Sequence, residues 1–161
     1  MTIATGDKMP SGTFGMMTEA GPDAISTDDL FASKKVVLIS VPGAFTPTCS
    51  MNHLPGFIDQ FDALMNKNVD TVACMAVNDV FVMDAWGKDR GVGDNIMMLA
   101  DGNGEYAKAL GLDFDASGFG MGTRGQRFAI VVDDGVATHV AVEAPGQLEV
   151  SKAEAILEAL D

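Results

Sequence analysis

Apolar positions along the chain fall into two patterns, and each predicts a different element. Val36 to Val41 (VVLISV) is a nearly unbroken apolar run rich in β-branched residues, bounded by Lys34-Lys35 and Pro42-Gly43, and Thr71 to Val77 (TVACMAV) repeats it. Short continuous runs of this kind predict strands covered on both faces. Phe57, Ile58, Phe61, Leu64 and Met65 instead recur at helical spacing and predict a helix with one apolar stripe, which Pro55 bends or interrupts in its first part. Val80 to Trp86 reads as a second helix, capped by Asn78-Asp79.

The second half continues differently. Ile96 to Ala100 predicts a strand, Asp101 to Gly104 a turn, and Glu105 to Leu110 a brief helix stopped by Gly111. A glycine-rich loop, Ser117 to Gly125, leads into the strand Phe128 to Val132. Asp133-Asp134-Gly135 then divides two apolar strands within Arg127 to Val142, a hairpin signal with glycine placed for a positive φ. Ser151 is expected to cap a last helix whose Ala153, Ile156, Leu157 and Leu160 share a face. A βαβα half followed by a short helix, a hairpin and a helix predicts an α/β sandwich of the thioredoxin kind, with a central mixed β-sheet flanked by helices. No linker or repeat divides the chain, so residues 1–161 are expected to form a single domain.

Charge narrows the function. Ten basic against 23 acidic side chains give a net charge of −13, whose field repels nucleic acid and anionic membranes alike. The N-terminus has no basic start followed by an apolar run, and no stretch approaches the roughly 20 apolar residues of a membrane span. A cytoplasmic location is the expectation. A chain of this size buries about 70% of its unfolded surface and needs no disulfide or structural metal to hold a core. That leaves its two cysteines, Cys49 and Cys74, free for other work.

Cys49 falls where the loop Pro42 to Thr48 runs into a helix, and the positive end of a helix favours a thiolate over a thiol. Cys74 lies inside TVACMAV, where burial on both faces makes it a core residue. Other signals dissolve in context. Gly120-Met121-Gly122-Thr123-Arg124-Gly125 has the glycine spacing of a dinucleotide loop but precedes a strand instead of opening a helix. Asp101-Gly102-Asn103-Gly104-Glu105 hints at a calcium loop, yet its twelfth position is Leu112, which offers no carboxylate. The two cysteines and two histidines lack the close pair spacing of a zinc site.

The segment PGAFTPTCS, Pro42 to Ser50, resembles the active-site segment of peroxiredoxins, with Pro42, Thr46 and Cys49 in the places of its Pro-x-x-x-Thr-x-x-Cys signature. The longer string VPGAFTPTCSMNHLPGF, with VACMAVND, AWGKD and Arg127-Phe128, resembles the peroxiredoxin-five or type II subfamily over nearly the whole chain. The resemblance implies a thioredoxin-like fold and thiol-dependent reduction of hydrogen peroxide and organic hydroperoxides, without metal or other cofactor. It implies Cys49 as the peroxidatic nucleophile, the Thr46 hydroxyl on the peroxide oxygens, Pro42 shielding the sulfur from bulk water, and Arg127 holding thiolate and peroxide. Arginine suits that place because its charge is permanent and its donors are fixed in a plane. A homodimer with the active-site loops near the interface is the further implication.

One branch of that subfamily resolves the oxidised cysteine with a second cysteine near the C-terminus, but Gly146 to Ser151 here contains none. The sulfenic acid is therefore expected to meet an external thiol, glutathione, glutaredoxin or thioredoxin, in a one-cysteine mechanism. Loosening of the first helical turn near Pro55 would give that thiol access. Arg124 stands open as a second cation beside the site or a solvated loop residue. His53, four residues after Cys49, stands open as a neighbour of the site or a structural histidine, and Phe45 and Phe119 as pocket walls or core. Two other readings compete: a thioredoxin-fold disulfide oxidoreductase, which would ordinarily want a C-x-x-C pair that Cys49-Ser50-Met51-Asn52 does not supply, and a redox-sensing holdase, suggested only by the 11 methionines.

Overall fold

The computed structural model describes residues 2–161. The chain opens with a hairpin, β1 (Thr13–Thr18) and β2 (Gly21–Ser26), and a short helix, α1 (Thr27–Phe31), whose Asp29 amide donates to the Ser26 hydroxyl at 3.1 Å. The hydrophobic pattern did not foretell this hairpin. Its outer strand carries Pro22 and Asp23 and lies at the sheet edge, where a missing N–H costs nothing and polar side chains face water.

β3 (Lys35–Ser40) leads through the loop 41–46 into a helical passage that begins at Pro47. Its turn Cys49–His53 is wound wider than an α-helix, and α2 (Leu54–Asp59) and α3 (Phe61–Asn66) follow. The single stripe expected over Phe57 to Met65 is thus split at Gln60, whose backbone (φ −97°, ψ 11°) ends one helix and starts the next. β4 (Thr71–Ala76), α4 (Val80–Arg90), β5 (Ile96–Ala100) and α5 (Glu105–Leu110) come next, with Asp79 capping α4 by accepting from the Val82 amide at 2.8 Å. The glycine-rich loop is less open than expected: β6 (Asp113–Asp115) pairs with β7 (Thr123–Gly125), three residues each.

β8 (Phe128–Asp133) and β9 (Val136–Val142) form the anticipated hairpin. Asp134 (φ 47°) and Gly135 (φ 83°) make a two-residue turn with both φ positive, which matches the twist of the flanking strands. The last helix, α6 (Ala153–Ala159), buries Ala153 and Ile156 as its spacing predicts. Ser151 does not cap it. Lys152 is the capping position, and the Ser151 hydroxyl is drawn away to the Glu143 carboxylate at 2.6 Å.

Seven strands share one mixed sheet in the order β2-β1-β5-β4-β3-β8-β9, with β3, β4 and β5 parallel and the other pairs antiparallel. Strand periodicity sends Val36, Leu38, Ala73 and Met75 to one face, packed with α1 and α5. Val37, Ile39, Val72 and Cys74 go to the other, under α2, α3, α4 and α6. Both faces are covered, which is why the central strands read as continuous apolar runs. Among the described residues no helix is long and apolar enough to cross a membrane.

Candidate active site

Cys49 sits in the first turn of the helical passage, with its side chain fully buried in the cluster formed by Val41, Leu54 and Phe57. The turn is wide because Leu54 N–H donates to the Cys49 carbonyl, five residues back instead of four. Pro55, having no N–H, offers the next carbonyl nothing, so Ser50 O is left free. It accepts from Arg90 Nη1 at 3.1 Å, while the Ser50 hydroxyl accepts from the buried Trp86 indole at 2.8 Å. α4 thereby grips the cysteine-bearing turn through one residue. Pro55 at the start of α2 does not break the passage; its effect lies in the wide turn just before it.

Arg127, immediately before β8, reaches across to Cys49. Its Nη2 donates to Cys49 Sγ at 3.0 Å and its Nη1 to His53 Nδ1 at 3.0 Å. His53 Nε2 lies 3.1 Å from the Ser151 carbonyl. A carbonyl only accepts and a guanidinium only donates, so the ring is neutral with its proton on Nε2. Burial, reinforced by the Arg127 charge, lowers the His53 pKa from 6.5 to about 4, against the opposing pull of Ser151 and Glu143. His53 is therefore a direct neighbour of the site as well as a core residue, and its ring packs edge-on against Phe57 at 5.7 Å.

The loop 42–48 builds the other wall. Thr46 Oγ1 donates to the Gly43 carbonyl at 2.7 Å, which leaves the hydroxyl's lone pairs to accept from a guest. The Thr46 carbonyl accepts from Ser50 N–H at 2.9 Å, and the Ala44 N–H donates to Asn78 Oδ1 at 2.9 Å. Between these ties Phe45 is held at φ 65°, a conformation rare for a bulky residue, with half of its surface exposed. Pro42, Thr46 and Arg127 line a cavity of about 230 Å³ whose outer walls are Phe114, Phe119 and Met121. Phe119 is thus a wall residue, 84% exposed, whereas Phe45 packs toward Trp86 at 6.4 Å between ring centres.

Arg124 is half-buried and not a solvated loop residue, and its guanidinium lies beside Gly43 of the active-site loop. Its Nε donates to Met121 O at 2.8 Å and its Nη1 to Val77 O at 3.0 Å, stapling the cavity's outer loop to the end of β4. Cys74 is fully buried in the central sheet, and burial first, then neighbouring Cys49, push its thiol well above the ordinary range while Arg127 acts the other way. Both cysteines are free thiols. Among the described residues no three His, Cys, Asp or Glu side chains are grouped as metal ligands. Trp86 and Arg90, which hold Ser50 in place, carried no local signal of that role, because each meets its partner only through tertiary folding.

A buried sulfur hydrogen-bonded to a permanent cation that itself lines a small cavity is arranged for nucleophilic attack on a small electrophile whose leaving group becomes negative. Comparison with known proteins agrees. The sequence matches the Redoxin family over residues 4–157. It is 47% identical to Peroxiredoxin-2B of Arabidopsis thaliana over 159 residues, covering 98% of each chain. The fold superposes on reduced Prx3 from Vibrio vulnificus in complex with H2O2 with a TM-score of 0.96, at 51% identity and covering 99% of this chain and 100% of that one. It also matches the Plasmodium falciparum antioxidant protein, a 1-Cys peroxiredoxin, with a TM-score of 0.91 at 29% identity and 98% of both chains. A thioredoxin-like sheet, a guanidinium on a buried cysteine and relatives of this closeness lead to one conclusion: the chain belongs to the peroxiredoxin family of thiol-dependent peroxidases.

Proposed function

We propose that Cys49 is the peroxidatic nucleophile and that Arg127, Thr46 and Pro42 form the rest of its site. The observation that carries this reading is the 3.0 Å hydrogen bond to Cys49 Sγ from Nη2 of Arg127, which lines the cavity together with Pro42 and Thr46. The Cys49 thiolate attacks the terminal oxygen of the hydroperoxide. An S–O bond forms as the O–O bond breaks, and the departing hydroxide or alkoxide takes up a proton and leaves as water or alcohol. The Arg127 guanidinium stabilises the charge that develops as the bond lengthens, and the Thr46 hydroxyl, whose own proton is on the Gly43 carbonyl, accepts the O–H of the hydroperoxide and orients it. Pro42 closes the sulfur off from bulk water. The apolar walls Phe114, Phe119 and Met121 suit organic hydroperoxides as well as hydrogen peroxide.

Cys49 sulfenic acid is then attacked by an external thiol, which expels water and leaves a mixed disulfide, and a second thiol releases Cys49. Glutathione with glutaredoxin, or thioredoxin, supplies these electrons in a reducing, cytoplasmic compartment. The chain's only other cysteine is Cys74, enclosed in the sheet, which supports recycling from outside. A buried Cys49 requires its turn to open for that step, and the wide hydrogen-bond register at Cys49–His53 is the natural place. The strands of the seven-stranded sheet span Thr13 to Val142, which supports residues 1–161 acting as one domain. Exposed Phe45 and Phe81, on either side of the Ala44 to Asn78 tie, support a homodimer formed beside the active-site loops.

The test is peroxide loss on mixing reduced protein with stoichiometric hydrogen peroxide. Cys49→Ser should abolish it, Cys74→Ser should retain it, and Arg127→Gln should slow it by about 10²-fold to 10³-fold. Retained activity in Cys49→Ser, or turnover with glutathione and glutaredoxin lost in Cys74→Ser, would overturn the reading.

A further inference from the structure

Glu143, just after β9, is a buried carboxylate that the chemistry above does not use, only 7% exposed. Its Oε2 accepts three hydrogen bonds: from the Glu149 amide at 2.8 Å, the Ser151 amide at 2.7 Å and the Ser151 hydroxyl at 2.6 Å. Two of these donors belong to Ser151 and pin that residue, whose carbonyl receives the His53 Nε2 proton at 3.1 Å. That bond decides the tautomer, and with it that Nδ1 is bare to accept Arg127 Nη1 at 3.0 Å. A guanidinium is planar, so fixing Nη1 fixes the direction of Nη2 toward Cys49 Sγ.

We propose that Glu143, acting through Ser151 and His53, is a positioning residue for the Arg127 guanidinium. It aims one N–H at the sulfur and leaves the remaining donors for the peroxide. The proposal rests on the reading of Cys49 and Arg127 as the reacting pair. Glu143 touches neither substrate nor sulfur; its action is geometric, so a neutral acceptor of the same shape should serve in its place, whereas an apolar side chain should not.

The experiment compares Glu143→Leu and Glu143→Gln in three readouts. These are the single-turnover rate with hydrogen peroxide, the rate of Cys49 alkylation by iodoacetamide, and the ¹⁵N shifts of the His53 ring. Glu143→Leu should slow peroxide reduction about tenfold, since small misplacements of an aligned group are costly in the transition state. Alkylation, which needs no aligned guanidinium, should stay near wild type, and the His53 spectrum should pass from a single Nε2–H tautomer to a mixture. Glu143→Gln should restore all three. Should Glu143→Leu fail to fold, Ser151→Ala, which removes one donor and keeps the amide, should shift the tautomer and slow peroxide reduction in the same direction. A folded Glu143→Leu or Ser151→Ala with wild-type tautomer and peroxide rate would overturn the proposal, as would peroxide reduction and alkylation falling in parallel. Arg127→Gln run alongside separates two failures: if it is slow and the Glu143 and Ser151 variants are not, only this proposal falls, and if it keeps the wild-type rate, the reading of the site falls with it.

Discussion

Arg127 donates to a histidine: its Nη1 lies 3.0 Å from His53 Nδ1. A second cation there would lose the hydrogen bond and face a guanidinium, so the folded protein holds His53 neutral. Its pKa falls from 6.5 to about 4, through burial first and the Arg127 charge second. Between those values the unfolded chain takes up a proton that the folded chain refuses. Stability contributed by neutral His53 is complete above about pH 6.5 and declines to about pH 4, by an amount on the order of 3 kcal/mol. Denaturant midpoints at pH 7, 5.5 and 4 should fall steadily for the wild type and much less for His53→Gln. Equal slopes in both would refute the assignment.

Glu143 titrates in a separate window. Burial raises its pKa, but the hydrogen bonds from Ser151, Glu149 and Val150 outweigh that and hold the carboxyl below its usual 4.5. Its contribution is therefore present above the ordinary carboxylate range and lost only as pH falls through the lowered value. Wild type should show a second, more acidic loss of stability that Glu143→Gln lacks, read from the same denaturation series extended below pH 4.

The chemistry of this site was legible where it is local, and hidden where it depends on distant partners. Pro42, Thr46 and Cys49 stand within eight consecutive residues, and Arg127 precedes a strand that the apolar run identifies, so these four stood out in the sequence, whereas the cavity residues Phe114 and Met121 did not. The central strands themselves followed from apolar runs covered on both faces. The β1 and β2 hairpin did not, because Gly21, Pro22 and Asp23 deny a strand signal and edge pairing overrides it. Ser151 illustrates the same limit: its place before a helix suggests a cap, yet a carboxylate eight residues earlier competes for its hydroxyl and wins. Only folded geometry decides that contest.

Trp86 and Arg90 hold the Cys49 turn through opposite sides of Ser50. Removing either bond should cost about 1 kcal/mol of stability, since each is a partly or fully buried hydrogen bond, and Trp86→Phe should cost more because the smaller ring also leaves a cavity in the core. The larger effect should be local. In Trp86→Phe and Arg90→Ala, amide exchange over residues 49–54 and attack of glutathione on Cys49 sulfenic acid should both speed up, because the opening required for recycling is cheaper. Faster exchange without faster mixed-disulfide formation would separate this grip from access to the sulfur.

Cys74→Ala should cost about 1 kcal/mol through the small cavity left in the sheet. It should leave peroxide reduction and glutathione-supported turnover intact. Its thiol is pushed upward by burial and enclosed on both sides, so it neither ionises at neutral pH nor meets solvent. Mass spectrometry of the wild type, quenched during turnover, should find glutathione on Cys49 and none on Cys74. An internal disulfide between the two as the dominant species would contradict recycling by an outside thiol.

Phe119 lines the cavity while leaving 84% of its surface in water, an arrangement that a bound apolar group would relieve. In the proposed reaction hydrogen peroxide, having no organic group, meets Pro42, Thr46 and Arg127 and makes no use of the apolar side of the cavity. A bulky hydroperoxide must rest its organic group against Phe114, Phe119 and Met121. Phe119→Ser should therefore lower kcat/KM for cumene hydroperoxide by about tenfold, the effect of losing roughly 50 Å² of apolar contact at 25 cal/mol per Å². The same variant should reduce hydrogen peroxide at the wild-type rate. A parallel loss with both substrates would mean that Phe119 supports the loop instead of the substrate, and no loss with either would remove this wall from the recognition of organic peroxides.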